Sequence, residues 1–243
     1  PNLASAGDLV VNSNMTWISG EYTYDNVTIT NGATLIFDGA VILNATNLTI
    51  DSTSSISADG KGYSAGSGPG AGVGGPVHLY GGGGGGYGGN GGDGAYNSFG
   101  GIAYGSAIVP VDLGSGGGSS PGWGSGGAGG GAVRLIVSDT LTVNGNITAN
   151  GQNGGAGSGG GSGGSIYVTT KILGGSGAFS ANGGDGMWPG GGGGAGGRIA
   201  IYYNFSAFPG ENTIAKGGIG YKNGEDGTVI IHGPSLDTPI TFF

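Results

Sequence analysis

The sequence predicts an all-β chain: a parallel β-helix or β-solenoid carrying long, ordered glycine-rich loops with a polyproline-II-like backbone. Three observations predict it. Apolar and polar residues alternate in short runs, as in Val133/Leu135/Val137 and Ile199/Ile201/Tyr203, which is the pattern of half-buried strands. The runs recur: Val77, Val133, Ile166, Ile199 and Val229 are separated by 56, 33, 33 and 30 residues, and a period near 30 suits stacked coils whose strands pair in parallel. Finally, 67 of the 243 residues are glycine, about four times the usual share of ~7%. No amphipathic helix is legible.

The elements follow in chain order. Residues 1–24, with Trp17 and Tyr22, read as an N-terminal cap and as a surface able to receive another subunit. Residues 25–60 read as simple coils built from Val27/Ile29, Leu35/Phe37, Val41/Leu43 and Leu48/Ile50, with turn signals at Asn31-Gly32 and Asp38-Gly39. From 61 to 232 come the glycine-rich coils. A short strand ending in Ala-[Asn/Asp/Lys]-Gly occurs at Ala58, Ala149, Ala181 and Ala215, and each copy is followed by a glycine-rich loop and a second strand. The first second strand in this series is PVHLY, with Val77 and Leu79. The long interval after it is an insertion at 81–131. Arg134 and Arg198 occupy outward positions by alternation. Residues 233–243 form a tail in which Gly233-Pro234 stops the last strand. It ends in Ile240, Thr241, Phe242 and Phe243, a β-prone segment suited to capping its own last coil or to adding to a neighbouring subunit. No charged or Pro-rich linker divides the chain, so one elongated domain is expected.

Glycine loops have no side chain to bury and a high entropic cost of ordering. The loops at 61–75, 81–131, 151–164 and 183–197 are therefore expected either to stack as bare extended backbones, as in polyproline-II assemblies, or to be flexible surface segments. Three of them have similar lengths, which favours the stacked arrangement.

Charge and composition narrow the function. The net charge is −8, and the six basic residues, Lys61, Arg134, Lys171, Arg198, Lys216 and Lys222, are scattered. That argues against nucleic acid as a partner. Without cysteine there is no disulfide framework or thiolate chemistry, and no apolar run reaches the length of a membrane-spanning helix. A chain beginning at Pro1 reads as a processed mature form or a fragment. Asn-x-Ser/Thr occurs at Asn14, Asn26, Asn44, Asn47, Asn146 and Asn204, where chance gives roughly three. N-linked glycans at a cell surface are the expectation, against simple abundance of Asn and Thr on β surfaces.

Glycine-rich sequence also generates false motifs. No GxGxxG lies in a βαβ setting, no Lys precedes Ser or Thr as in a phosphate loop, and Gly160–Gly164 lacks the strand-to-helix elbow of a nucleophilic Ser. The NGGDG loops at Asp93 and Asp185 and the NGEDG loop at Asp226 admit two readings: calcium ligation or Asx-type turns. His78 and His232 read as solvated strand histidines. A lyase would need Arg134, Arg198, Asp93 and Asp185 brought together on neighbouring coils. Tyr80, Tyr87, Tyr96, Phe99, Tyr104, Trp123 and Trp188 read as anchors for the glycine-rich loops or as a sugar-stacking face, with anchoring preferred.

The combination of TLIFDGAVILNATNLTI, GGAGGGAVRLIV, NGNITANGQNG, GGSGGSIYV and GGGGAGGRIAIYY resembles glycine-rich repeat segments of secreted bacterial and archaeal surface proteins. The resemblance spans roughly residues 25–232. It implies parallel β-helix architecture and an extracellular structural or adhesive role, and it points to no enzyme family. The expected protein is thus a secreted, self-assembling subunit of an extracellular filament, sheath or surface layer, with copies of itself as partner. The alternative is a carbohydrate-binding adhesin module or a polysaccharide lyase, with extracellular polysaccharide as partner.

Overall fold

A computed structural model describes residues 7–77 and 79–233. Eleven strands form one sheet wound into a nearly closed solenoid, and all the strand pairings are parallel. In chain order they are β1 (Leu9–Val11), β2 (Met15–Ile29), β3 (Thr34–Ile50), β4 (Ser55–Ser57), β5 (Ala132–Val143), β6 (Asn146–Thr148), β7 (Ser165–Gly174), β8 (Ala178–Ser180), β9 (Arg198–Ser206), β10 (Thr213–Ile214) and β11 (Thr228–His232). The only helical element among the described residues is a 3-10 turn, Gly210–Asn212.

Each full coil runs through three strand segments, and alternation sends apolar columns inward from each. The first segment stacks Leu35, Ile56, Ile147 and Phe179. The second stacks Val41, Val133, Ile166 and Ile199 beside Leu43, Leu135, Val168 and Ile201. The third stacks Val27, Leu48, Leu141 and Leu173. All of these side chains are buried, and burying each stabilises the fold by roughly 1.5–3 kcal/mol. Polar partners on the outer face form ladders of their own. Asn47 Nδ2 donates to Asn26 Oδ1 at 2.9 Å, and Asn26 Nδ2 donates to Asp8 Oδ1 at 2.7 Å.

The two ends of the stack differ. At the N-terminal end Trp17 is buried, with Tyr22 stacked on it at 4.2 Å and Phe37 at 5.8 Å. Trp17, expected to help receive another subunit, is thus committed to the core of its own coil. At the C-terminal end Val229 and Ile231 continue the columns of Ile199 and Ile201 but remain 40% and 37% exposed. The tail residues Ile240, Phe242 and Phe243 lie outside the described residues.

All the glycine-rich excursions leave from one corner, between the first and second segments. In the coils of β2 and β3 that corner is a short irregularity between Ile18 and Gly20 and at Asp38-Gly39, where Gly39 has φ +100°. In the next four coils the chain departs after Ala58, Ala149, Ala181 and Ala215 and returns at Gly131, Gly164, Gly197 and Gly227. Each neck is closed by the same bond: the returning glycine N–H donates to the departing alanine carbonyl at 2.7 Å. The Ala of the repeated motif is the last inward residue before the corner, and in all four copies it is buried. The residue after it builds a ladder: Asp59 Oδ1 accepts from Asn150 N, Asn150 Oδ1 from Asn182 N, and Asn182 Oδ1 from Lys216 N. The last copy carries Lys216, whose Nζ pairs with Asp226 at 2.8 Å.

The strand expected at PVHLY is corrected. PVHLY is not a second strand. Val77 and Leu79 lie outside all strands and are exposed, and the strand that follows β4 in the solenoid is β5. The excursion of that coil therefore runs from 59 to 131, rather than as a loop followed by an insertion at 81–131.

Candidate functional site: an aromatic platform at the loop tips

The excursions lie side by side and bond backbone to backbone. Gly85 N donates to Gly160 O, Gly161 N to Gln152 O, Gly184 N to Gly161 O, Gly194 N to Gly184 O and Gly218 N to Gly194 O, all at 2.8–2.9 Å. Segments 81–86, 158–164 and 190–197 are buried. A Cβ on Gly84 would sit 1.9 Å from Gly193 O, and one on Gly194 would sit 2.1 Å from Gly161 O, so glycine is required there by contact with neighbouring backbone. The interspersed serines serve the same network: Ser115 N donates to Ser162 Oγ and Ser120 N to Ser158 Oγ.

This layer divides the aromatic residues into two groups. Tyr87 and Tyr104 are anchors. Tyr87 is buried, its hydroxyl 2.6 Å from Ser165 Oγ, and burial pushes its pKa up to about 12. The Tyr104 hydroxyl donates to Leu113 O and lies 2.9 Å from Ser115 Oγ, and burial likewise raises its pKa. Arg198 completes this attachment. Rather than facing water it is buried beneath the long excursion, donating to Tyr104 O and Tyr87 O, with its guanidinium 5.4 Å from the centre of the Tyr87 ring.

The second group gathers where the excursions turn. Tyr80 packs edge-on against Tyr96 at 5.3 Å and Trp123 at 5.8 Å. Backbone bonds hold the neighbouring tips beside them: Ala95 N to Gly190 O, Tyr221 N to Gly191 O, Gly157 N to Trp188 O and Lys222 N to Asp93 O. On this frame Trp188 is 84% exposed, Tyr221 64% and Phe99 59%. Tyr96 and Asn97 take left-handed backbone, φ +54° and +60°, a conformation uncommon for residues with a Cβ. Two clefts open here. One, of about 310 Å³, is lined by Asp93, Tyr96, Asn97, Phe99, Tyr221 and Lys222. The other, of about 460 Å³, is lined by Trp188, Pro189, Ile219 and Tyr221 among others. Of the exposed side chains here, Tyr221, Met187 and Ile219 are not singled out by the sequence. A Tyr in KGGIGYKNG carries no signal beyond its place in a glycine loop.

The three aspartates, read either as calcium ligands or as Asx-type turns, accept hydrogen bonds from more distant parts of the loops. Asp93 Oδ2 pairs with Lys222 Nζ at 2.8 Å while its Oδ1 accepts from Gly100 N, and these interactions lower its pKa, with the Lys222 hydrogen bond the largest cause. Asp226 pairs with Lys216 at 2.8 Å and accepts from Gly217 N. Asp185 accepts from Ile219 N. Among the described residues no group of three or more His, Cys, Asp or Glu is placed to hold a metal ion. Arg134 lies over Tyr167 at 5.5 Å, and it shares none of the partners named for Arg198, Asp93 or Asp185. His232 packs edge-on to Tyr202 at 6.1 Å; His78 lies outside the described residues. Of the six sequon asparagines, Asn26, Asn44 and Asn47 donate their amides to neighbouring coils. Asn14 and Asn146 are exposed, and Asn204 Oδ1 is buried without a partner. No described helix is long and apolar enough to cross a membrane.

Comparison with known proteins finds no matching family model, curated protein or solved structure.

Proposed function

We propose that the protein is a non-enzymatic binding module of an extracellular surface, in which solenoid and glycine layer are scaffold and the aromatic tips are the adhesive site. The observation that carries this reading is the exposure of Trp188, Tyr221, Phe99 and Trp123 on tips held by backbone hydrogen bonds. Binding residues commonly sit on loops positioned by a rigid scaffold. Tyr and Trp supply large contact area with few torsions to freeze. The layer backbones are taken to be polyproline-II-like, which makes the support stiff. The test is adherence of protein-coated beads to prokaryotic cell surfaces. Replacing Trp123, Trp188 and Tyr221 together by Ser is expected to abolish adherence with the circular dichroism spectrum unchanged. Undiminished adherence would refute the reading.

A second reading, a filament, sheath or surface-layer subunit assembling through its ends and glycosylated, is favoured by a separate observation. The last apolar layer, Val229 and Ile231, is only half covered by the described residues. An open solenoid end offers unpaired strand edge to a second copy. Electron microscopy of purified protein decides it: regular polymers support the reading and dispersed monomers remove it. Intact mass above the 23.1 kDa of the bare chain would report the glycans, with Asn14, Asn26 and Asn146 the exposed sites.

A further inference from the structure

We propose that the two clefts flanking Tyr221 are adjoining subsites for a neutral saccharide, so that the platform binds two or more consecutive sugar residues. This inference deepens the adhesive reading and rests on it. A pyranose presents an apolar C–H face and a rim of hydroxyls, and it is best held by an aromatic ring on the face with hydrogen-bonding groups at the rim. The first cleft has both. Tyr96, Phe99 and Tyr221 supply rings, while Asp93, Lys222 and Asn97 lie in the same wall. The ion pair leaves polar capacity free: the Lys222 ammonium has three donors, of which Asp93 takes one, and the Asp93 carboxylate retains lone pairs beyond those used by Lys222 and Gly100.

The second cleft has Trp188 and the same Tyr221, with Ile219 and Pro189. It offers stacking area without a charged group. Sharing Tyr221 makes the clefts neighbours. Their volumes, about 310 and 460 Å³, fall within the ~300–1,000 Å³ range of small-molecule sites. The left-handed backbone at Tyr96 and Asn97 is a strained placement of two side chains at one wall, of a kind concentrated at ligand sites. Neutrality follows from charge. The chain carries −8, and the Lys222 cation in the first cleft is already paired with Asp93. A polyuronate therefore finds no free counter-charge there.

The experiment titrates the full chain with maltohexaose, cellohexaose, laminarihexaose, mannohexaose and xylohexaose, each beside its monosaccharide, and with polygalacturonate. Tryptophan fluorescence and ligand-observed NMR follow binding. At least one neutral hexasaccharide is expected to bind, about tenfold or more tightly than its monosaccharide, and polygalacturonate is expected not to. Tyr221→Ala should weaken binding about tenfold, since the ring serves both subsites, whereas Tyr221→Phe keeps the stacking surface and should stay within about threefold. Binding by none of the neutral sugars, or equal binding by Tyr221→Ala, overturns the proposal. If tip substitutions still abolish cell-surface adherence in that case, only the ligand class is wrong. If adherence is independent of the tips, the adhesive reading fails with it.

Discussion

The solenoid and the glycine layer solve the same packing problem by opposite means. In the solenoid, Leu35, Ile56, Ile147 and Phe179 fill the space between strands with side chains, and the stabilising term is apolar area withdrawn from water. In the layer there are almost no side chains to withdraw. Backbones approach until a Cβ on Gly84 or Gly192 would meet a carbonyl at about 2 Å, and stability comes from paired N–H and C=O groups together with dispersion between close-packed chains. The difference teaches that glycine content alone does not measure disorder. A glycine run can form a buried interior when parallel copies fix its length and both ends are clamped, here by the alanine–glycine necks.

Substitutions test this contrast at its two extremes. Leu135→Ala in the solenoid should have the largest effect, about 2–5 kcal/mol of lost stability from truncating a fully buried leucine, read from denaturant unfolding of the whole chain. Gly194→Ala should follow at about 1–3 kcal/mol through overpacking. Its added Cβ meets Gly161 O at 2.1 Å, and amide exchange should speed up at Gly161, Gly184 and Gly218 before it does in the strands. If Gly194→Ala were as stable as the parent, the layer would not be packed on bare backbone.

A smaller effect depends on pH. The pKa of Tyr87 is raised to about 12, chiefly by burial, against about 10 in the unfolded chain. Its contribution is therefore fully present below pH 10 and is lost as pH rises from about 10 toward 12, because the unfolded state releases the proton first. Attachment of the long excursion to the solenoid is expected to weaken over that window, and the loss should be reduced in Tyr87→Phe. Tyrosinate absorbance alongside near-UV dichroism would show it, and identical profiles for the two proteins would count against the anchor role.

The smallest effect sharpens the contrast from the other side. Gly174, at the end of β7, has no atom within 4 Å of an added Cβ and no left-handed φ. Gly174→Ala should be neutral or stabilising by up to about 1 kcal/mol through reduced freedom of the unfolded chain, as measured by the denaturation midpoint. A large loss there would mean that something other than contact enforces glycine in this chain.

The sequence by itself determined the strands and the repeat. Alternation marked Val133/Leu135/Val137 and Ile199/Ile201 as inward, and the 33-residue spacing placed β5, β7 and β9 in register. Both are local signals, set by the two-residue period of a strand and by the need to stack like on like. Alternation also misled. Val77 and Leu79 carry the strand pattern yet sit at a turn, because a coil's second segment is defined by the strand it pairs with, and that choice is not local. Arg198 is outward by alternation and buried in fact, because an excursion about a hundred residues earlier in the chain folds over it. The aromatics show the limit best. Tyr87 and Tyr96 stand in similar glycine-rich surroundings, and only the tertiary structure made one a buried anchor and the other part of an exposed platform. What separates them is how neighbouring backbones lie against one another and not position along the excursion, since Tyr80 and Trp123 of the platform stand nearer the Ala58–Gly131 neck in sequence than Tyr87 does.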